Sequence, residues 1–145
     1  NASRGLGDVY KRQGIDFGLS KVGLSISDPL KIISIPLKVI KYEKREELLN
    51  KLQEIAIEND VKSFVIGYPL NMNNKKNEMT KLVDDFFEEL KNLNFNVFLQ
   101  DERLSSESAK KIMHEQNIKT GKNKEHIDLI ASTIILQSFL DKGSF

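Results

Sequence analysis

The sequence predicts an α/β domain built on one five-stranded mixed sheet with helices on both faces. Three observations lead there. Gly14–Asp28 reads as two short strands joined by the tight polar connection Leu19-Ser20-Lys21, and a third strand follows directly, as in an antiparallel meander. Beyond it, helical periodicities alternate with short apolar runs, the pattern of strands linked by crossover helices. Within that part, Ser63-Phe64-Val65-Ile66-Gly67 is apolar through its middle, as suits a central parallel strand covered on both faces.

Taken in order, residues 1–13 show no periodicity and no initiating methionine, and read as a foreign or disordered leader outside the fold. A single domain is then expected over residues 14–145. Lys31–Ile35, continued by Leu37–Ile40, forms the third strand, with Pro36 marking a sheet edge or a bulge. A helix over about Glu43–Asn59 follows, with Leu48, Leu49, Leu52, Ile55 and Ala56 on one face. After the Ser63–Gly67 strand comes a loop rich in asparagine and lysine, Tyr68–Asn77. The next helix carries Met79, Leu82, Val83, Phe86, Phe87 and Leu90 at helical spacing. Phe95–Leu99 is the last strand. A third helix is expected after Ser105 or Ser106, which can cap it, then a basic loop over Ile118–Lys124. The final helix, about Glu125–Lys142, is the most apolar and should be well buried. The Phe86/Phe87 and Ile134/Ile135 pairs read as core.

Composition narrows the function classes. With 22 basic and 21 acidic residues the net charge is +1, so any nucleic-acid binding must come from local patches. No cysteine is present, which removes disulfides, thiolate metal sites and cysteine nucleophiles, and fits a reducing cytoplasm. Two histidines leave no basis for a histidine-rich zinc site. No apolar run reaches membrane-spanning length.

The chemistry resides in carboxylates. Asp16 stands in the first strand between Ile15 and Phe17, where an unpaired charge is costly to bury. It reads equally as a hydrogen-bonded strand residue or as a ligand of a divalent cation. Gly14, Gly18 and Gly23 around it suggest close approach by a ligand or another backbone, with Gly18 and Gly23 leaving room for a substrate. Glu102 follows the last strand. Asp128 interrupts the apolar final helix in its first turns, where the helix dipole favours negative charge, so that taken alone it reads first as a dipole-stabilising surface aspartate; Ala131 and Ser132 one turn on would let that helix approach the sheet. Three carboxylates meeting at one sheet end suit magnesium or manganese. Two such ions about 4 Å apart align an attacking water and a leaving oxygen for phosphodiester hydrolysis.

Four segments carry a resemblance: Asp16–Asp28, Gly67–Met72, Asp101–Ser106 and Ile127–Gln137. In this order they resemble the YqgF/RuvX family over essentially residues 14–141. The resemblance implies an RNase H-like fold and a magnesium-dependent nuclease, linked both to Holliday junction resolution and to processing the 5′ end of precursor 16S rRNA. It implies that Asp16, Glu102 and Asp128 are catalytic and metal-binding, holding two Mg2+ or Mn2+ ions with substrate. Leu19 and Ser20 depart from the family's threonine and basic residues, and Asn73-Asn74 from its Asp-Gly. The first strand is also less apolar at Lys11-Arg12-Gln13 than the family's.

Lys21, Asn71, Lys75, Lys76, Arg103, Lys119, Lys122 and Lys124 are the candidate contacts to phosphate backbone. His126 lies near Asp128 in sequence, while His114 reads as a surface residue. The expected partner is nucleic acid, structured RNA or branched DNA, bound by a monomer or a homodimer without a membrane. Rival readings are a junction-resolving DNA endonuclease, an actin-like or sugar-kinase nucleotide binder, and a non-catalytic ribosome-assembly factor.

Overall fold

The computed structural model describes residues 10–102 and 124–142, with backbone alone for 124–126. The elements run β1 (Lys11–Asp16), β2 (Lys21–Ser27), β3 (Ser34–Lys41), α1 (Arg45–Glu58), β4 (Val61–Tyr68), α2 (Glu78–Asn92), β5 (Asn96–Asp101) and α3 (Lys124–Asp141). The expected helix after Ser105 and Ser106, His114, and the loop before Lys124 lie outside the described residues. The five strands form one sheet in the order β3-β2-β1-β4-β5. β1/β2 and β2/β3 pair antiparallel, β1/β4 and β4/β5 parallel. This is the mixed sheet expected from the sequence.

Alternation along the strands sends large apolar side chains to one face and small or polar ones to the other. Ile15, Leu24, Phe64 and Ile66 join Leu48 and Leu52 of α1 and Phe86 and Leu90 of α2 in the main core. Burying each such side chain contributes about 1.5–3 kcal/mol relative to leaving it exposed. Phe17, just past β1, stacks on Phe86 with ring centroids 4.8 Å apart, and Arg45 lies over both rings and pairs with Glu89. On the opposite face Val65 packs with Ile135, Leu136, Phe139 and Leu140 of α3.

That second face is shallow where α3 crosses β1, β2 and β3. A Cβ on Gly14 would sit 2.8 Å from Leu136 Cβ and 2.9 Å from the Ser132 carbonyl oxygen. Ser25 Oγ donates to that carbonyl at 2.8 Å. Ala131 and Ser132 are buried here, as their size suggested, and no described side chain of α3 is fully exposed before Asp141. Of the two pairs read as core, Phe86 and Ile135 are fully buried, whereas Phe87 and Ile134 are half-buried.

Two expected boundaries move. Lys11–Gln13, placed outside the fold with the rest of residues 1–13 for want of periodicity, open β1: Lys11 N–H donates to Asp60 O at 2.8 Å, and Gln13 pairs with Ile26 and Phe64. The Arg12 guanidinium covers the rings of Phe98 and Phe139 at 5.7 and 5.3 Å, so its long side chain substitutes for an apolar one. β3 starts at Ser34 instead of Lys31. Asp28 Oδ1 accepts from the Ile32 and Ile33 amides at 2.7 and 2.8 Å, folding Lys31–Ile33 into a turn with Lys31 at φ 60°. Pro36 lies on the edge strand beside a register shift, satisfying both of its expected roles.

α2 begins at a capping box. Asn77 Oδ1 accepts from Met79 N and Thr80 N, and Thr80 Oγ1 accepts from Asn77 N. In the preceding loop Asn74 takes φ 65°, a left-handed conformation that asparagine tolerates in place of glycine.

Candidate active site

The site is organised by a row of three residues across the sheet. Asp16, the last residue of β1, pairs with Gly23 of β2, and on its other side β4 runs parallel with Ile15 opposite Ile66, one residue before Gly67. A carboxylate thus lies between two glycines. The space that a side chain would fill at each glycine is taken by a second acidic residue.

At Gly23 an added Cβ would lie 2.4 Å from the Asp128 carbonyl oxygen and 3.0 Å from Asp128 Cβ. At Gly67 it would lie 2.5 Å from Glu102 Oε2 and 2.6 Å from Ile135 Cδ1. The glycine expected to leave room for a substrate, Gly23, is therefore covered by the chain itself. Gly18 serves the turn: a Cβ there would meet Lys21 O at 2.5 Å, and its carbonyl accepts from the Tyr42 hydroxyl.

Each carboxylate is fixed by its own element. Asp16 precedes Phe17, whose stacking in the core pins the end of β1. Glu102 leaves β5 through a bond from its amide to Tyr68 O at 3.2 Å. Asp128 lies in the first turns of α3, held where Gly23 lets the helix backbone touch the sheet.

The electrostatics follow from this crowding. Desolvation raises the Asp16 carboxyl well above its ordinary value, reinforced by the charges of Glu102 and Asp128 and by a hydrogen bond to Glu102; Lys21 opposes the rise. Desolvation also pushes Glu102 up to about 7, while the Asp16 hydrogen bond lowers it and Asp101 raises it. Asp16 and Glu102 therefore titrate as a coupled pair, each carboxyl raised chiefly by its burial. Asp128 Oδ2 is buried, with Lys21 Nζ at 3.1 Å in ion-pair contact, yet among the described residues it accepts no hydrogen bond.

The set fits a hard divalent cation in its chemistry: three carboxylates, no sulfur or imidazole among the described donors, and one buried oxygen lacking a hydrogen bond. It is not a ready-made cage. Among the described residues, no group of three or more acidic or histidine side chains stands in a metal-holding arrangement. Asp16 and Glu102 hold each other, and Asp128 faces Lys21.

The candidate phosphate contacts divide into four groups. Lys21 stands at the carboxylates, ion-paired instead of free for phosphate. Asn71 is engaged in its own loop: its Oδ1 accepts from Asn77 Nδ2 at 2.8 Å and its amide donates to Lys75 O at 2.9 Å. Lys75 and Lys76 are exposed on that loop, with Lys76 Nζ 5.9 Å from the centre of the Tyr68 ring. Arg103, Lys119 and Lys122 lie outside the described residues, as do the side chains of Lys124 and His126. Sequence reasoning missed the part played by Gly67; its place at the end of an apolar strand was the available signal.

Residues 11–142 match the RuvX family, described as Holliday junction resolvase. A relative from Mycoplasmopsis synoviae named "Putative pre-16S rRNA nuclease" is 39% identical over 133 residues, covering 90% of this chain and 97% of its own. Among solved structures, the Fowlpox virus resolvase with Holliday junction DNA superposes with a TM-score of 0.59 at 10% identity, covering 93% of this chain and 99% of the other. RuvC of T. thermophilus, also with a junction substrate, gives 0.56 at 10% identity, covering 93% and 96%. At such identity the structures establish the resolvase-type RNase H-like fold, and the sequence match establishes the kinship: the chain belongs to the RuvX (YqgF) family.

Proposed function

We propose that this chain is a divalent-metal-dependent nuclease that hydrolyses phosphodiester bonds of precursor 16S rRNA at its 5′ end, a step of ribosome biogenesis. The observation that carries the reading is the convergence of Asp16, Glu102 and Asp128 from three elements at the Gly23–Asp16–Gly67 row. Relatives matching 89% and 90% of the chain bear the pre-16S rRNA nuclease name, which favours RNA over a DNA junction.

In this reading Asp16, Glu102 and Asp128 would hold Mg2+ or Mn2+, two ions when substrate is present. Bound there, such ions activate a water and stabilise the leaving oxygen of a phosphodiester. The chain's own part is to hold the ligands rigidly. Phe17 anchors β1, Gly23 sets the depth of α3, and Gly67 leaves a slot for the Glu102 carboxylate. The proton shared by Asp16 and Glu102 must leave before both carboxylates can serve a cation. Lys75 and Lys76 position the nucleic-acid backbone without reading sequence, and Arg103, Lys119, Lys122 and Lys124 are proposed to extend that path.

The test offers the purified protein precursor rRNA and a four-way DNA junction side by side, with Mg2+ or Mn2+. Cleavage of the rRNA is expected. Asp16→Asn, Glu102→Gln and Asp128→Asn should each lower it by more than about 100-fold, beyond the usual effect of losing a partner of a metal ligand. Circular dichroism should stay unchanged. Selective cutting of the junction would reject the rRNA substrate, and three variants as active as the parent would reject the site.

A further inference from the structure

Lys21 opens β2 two residues before Gly23, at the edge of the acidic row. Its Nζ lies 3.1 Å from Asp128 Oδ2, and its side chain is 32% exposed against 23% for Asp128. The contact is one of charge alone, since Asp128 Oδ2 accepts no hydrogen bond among the described residues. Among the described residues, the cation paired with this carboxylate is the flexible ammonium of Lys21.

A divalent ion and an ammonium cannot both sit against the same carboxylate oxygen without repelling one another. Lysine suits a role in which it must leave. Its charge is a compact point on a four-carbon stem with free rotation, and phosphate is a ligand that it binds well.

We propose that Lys21 is a displaceable counter-cation, balancing Asp128 while no metal is bound and released toward the substrate phosphate when a divalent ion takes Asp128. The proposal rests on the metal-site reading given above. It makes metal and nucleic acid cooperative: each favours the state in which Lys21 has left Asp128, so each strengthens the other's binding by the same factor. It also assigns Lys21 its phosphate contact only in the metal-loaded protein, which reconciles the contact expected from sequence with the ion pair observed.

The experiment is a Mn2+ titration of the full chain followed by electron paramagnetic resonance, without nucleic acid. Parent, Lys21→Met, Lys38→Met and Asp16→Asn are compared. Methionine keeps the length of the lysine stem without its charge, and Lys38 is exposed on β3. Lys21→Met should bind Mn2+ about tenfold more tightly than the parent, within the usual range of coupling between two competing ligands. Lys38→Met should match the parent. At saturating Mn2+, Lys21→Met should cleave more slowly, and Lys21→Arg should recover most of the loss, which a merely structural role for the side chain would not predict.

Unchanged Mn2+ affinity in Lys21→Met, or an equal gain in Lys38→Met, would overturn the proposal while leaving the metal site intact. If Asp16→Asn binds Mn2+ as the parent does, the metal-site reading fails and this inference fails with it.

Discussion

The two glycines beside Asp16 look equivalent in the sheet and are not. Gly23 faces main chain: the carbonyl oxygen and carbon of Asp128 lie 2.4 and 2.7 Å from where its Cβ would stand. Gly67 faces the free ends of side chains, Glu102 Oε2 and Ile135 Cδ1. Backbone in a helix cannot step aside without moving the helix, whereas a carboxylate or a methyl group can rotate. One glycine therefore sets the architecture of the site and the other sets the placement of one ligand. The difference separates stability from chemistry within a few ångströms.

The largest effect is expected at the first. Gly23→Ala forces α3 off the sheet, an overpacking that costs about 3 kcal/mol. That corresponds to a fall of roughly 10 °C in melting temperature for a chain of this size. Cleavage should be lost too, because Asp128 travels with the helix. A melting curve within about 2 °C of the parent's would show that α3 is not seated on Gly23.

Gly67→Ala should invert that pattern. The new methyl displaces only side-chain ends, so the melting temperature should change little. The Glu102 carboxylate must move, however, and a shift on the order of 1 Å in a reacting group can lower the rate about 100-fold. Normal cleavage by a well-folded Gly67→Ala protein would mean that Glu102 does not act from this slot.

Much of the fold was legible because local chemistry and tertiary context agreed. The continuously apolar Phe64–Ile66 run became β4, an interior strand paired parallel on both sides, and Asp128 with Ala131 and Ser132 identified the face of α3 that meets the sheet. The failures have a common cause. Lys11–Gln13 are polar, yet pairing with β2 and β4 draws them into the sheet; Gln13 is fully buried with neither amide atom hydrogen-bonded. Gly23 and Gly67 carry no side chain, so their meaning lies in what occupies the space above them, and that depends on residues far away in sequence. The acidic trio could be named from its motifs. Its arrangement, a hydrogen-bonded carboxyl pair beside an ion pair, could not.

That pair gives the smallest of the expected effects, and one that reports on Glu102 without any cleavage assay. Desolvation pushes Glu102 up to about 7, against an ordinary value of 4.5, and Asp16 is raised in the same sense. Between those values the folded chain holds a proton that the unfolded chain has released. The stability this contributes is therefore fully present below that window and is lost as pH rises through it. Urea midpoints measured in a chelator between about pH 5 and pH 7 should decline for the parent, and the decline should be shallower in Glu102→Gln, whose amide has no charge to desolvate. Gly67→Ala should also flatten the slope, because a carboxylate pushed out of its slot regains water. If Gly67→Ala keeps the parent's slope, the slot is not what desolvates Glu102, and the contrast between the two glycines loses its electrostatic half.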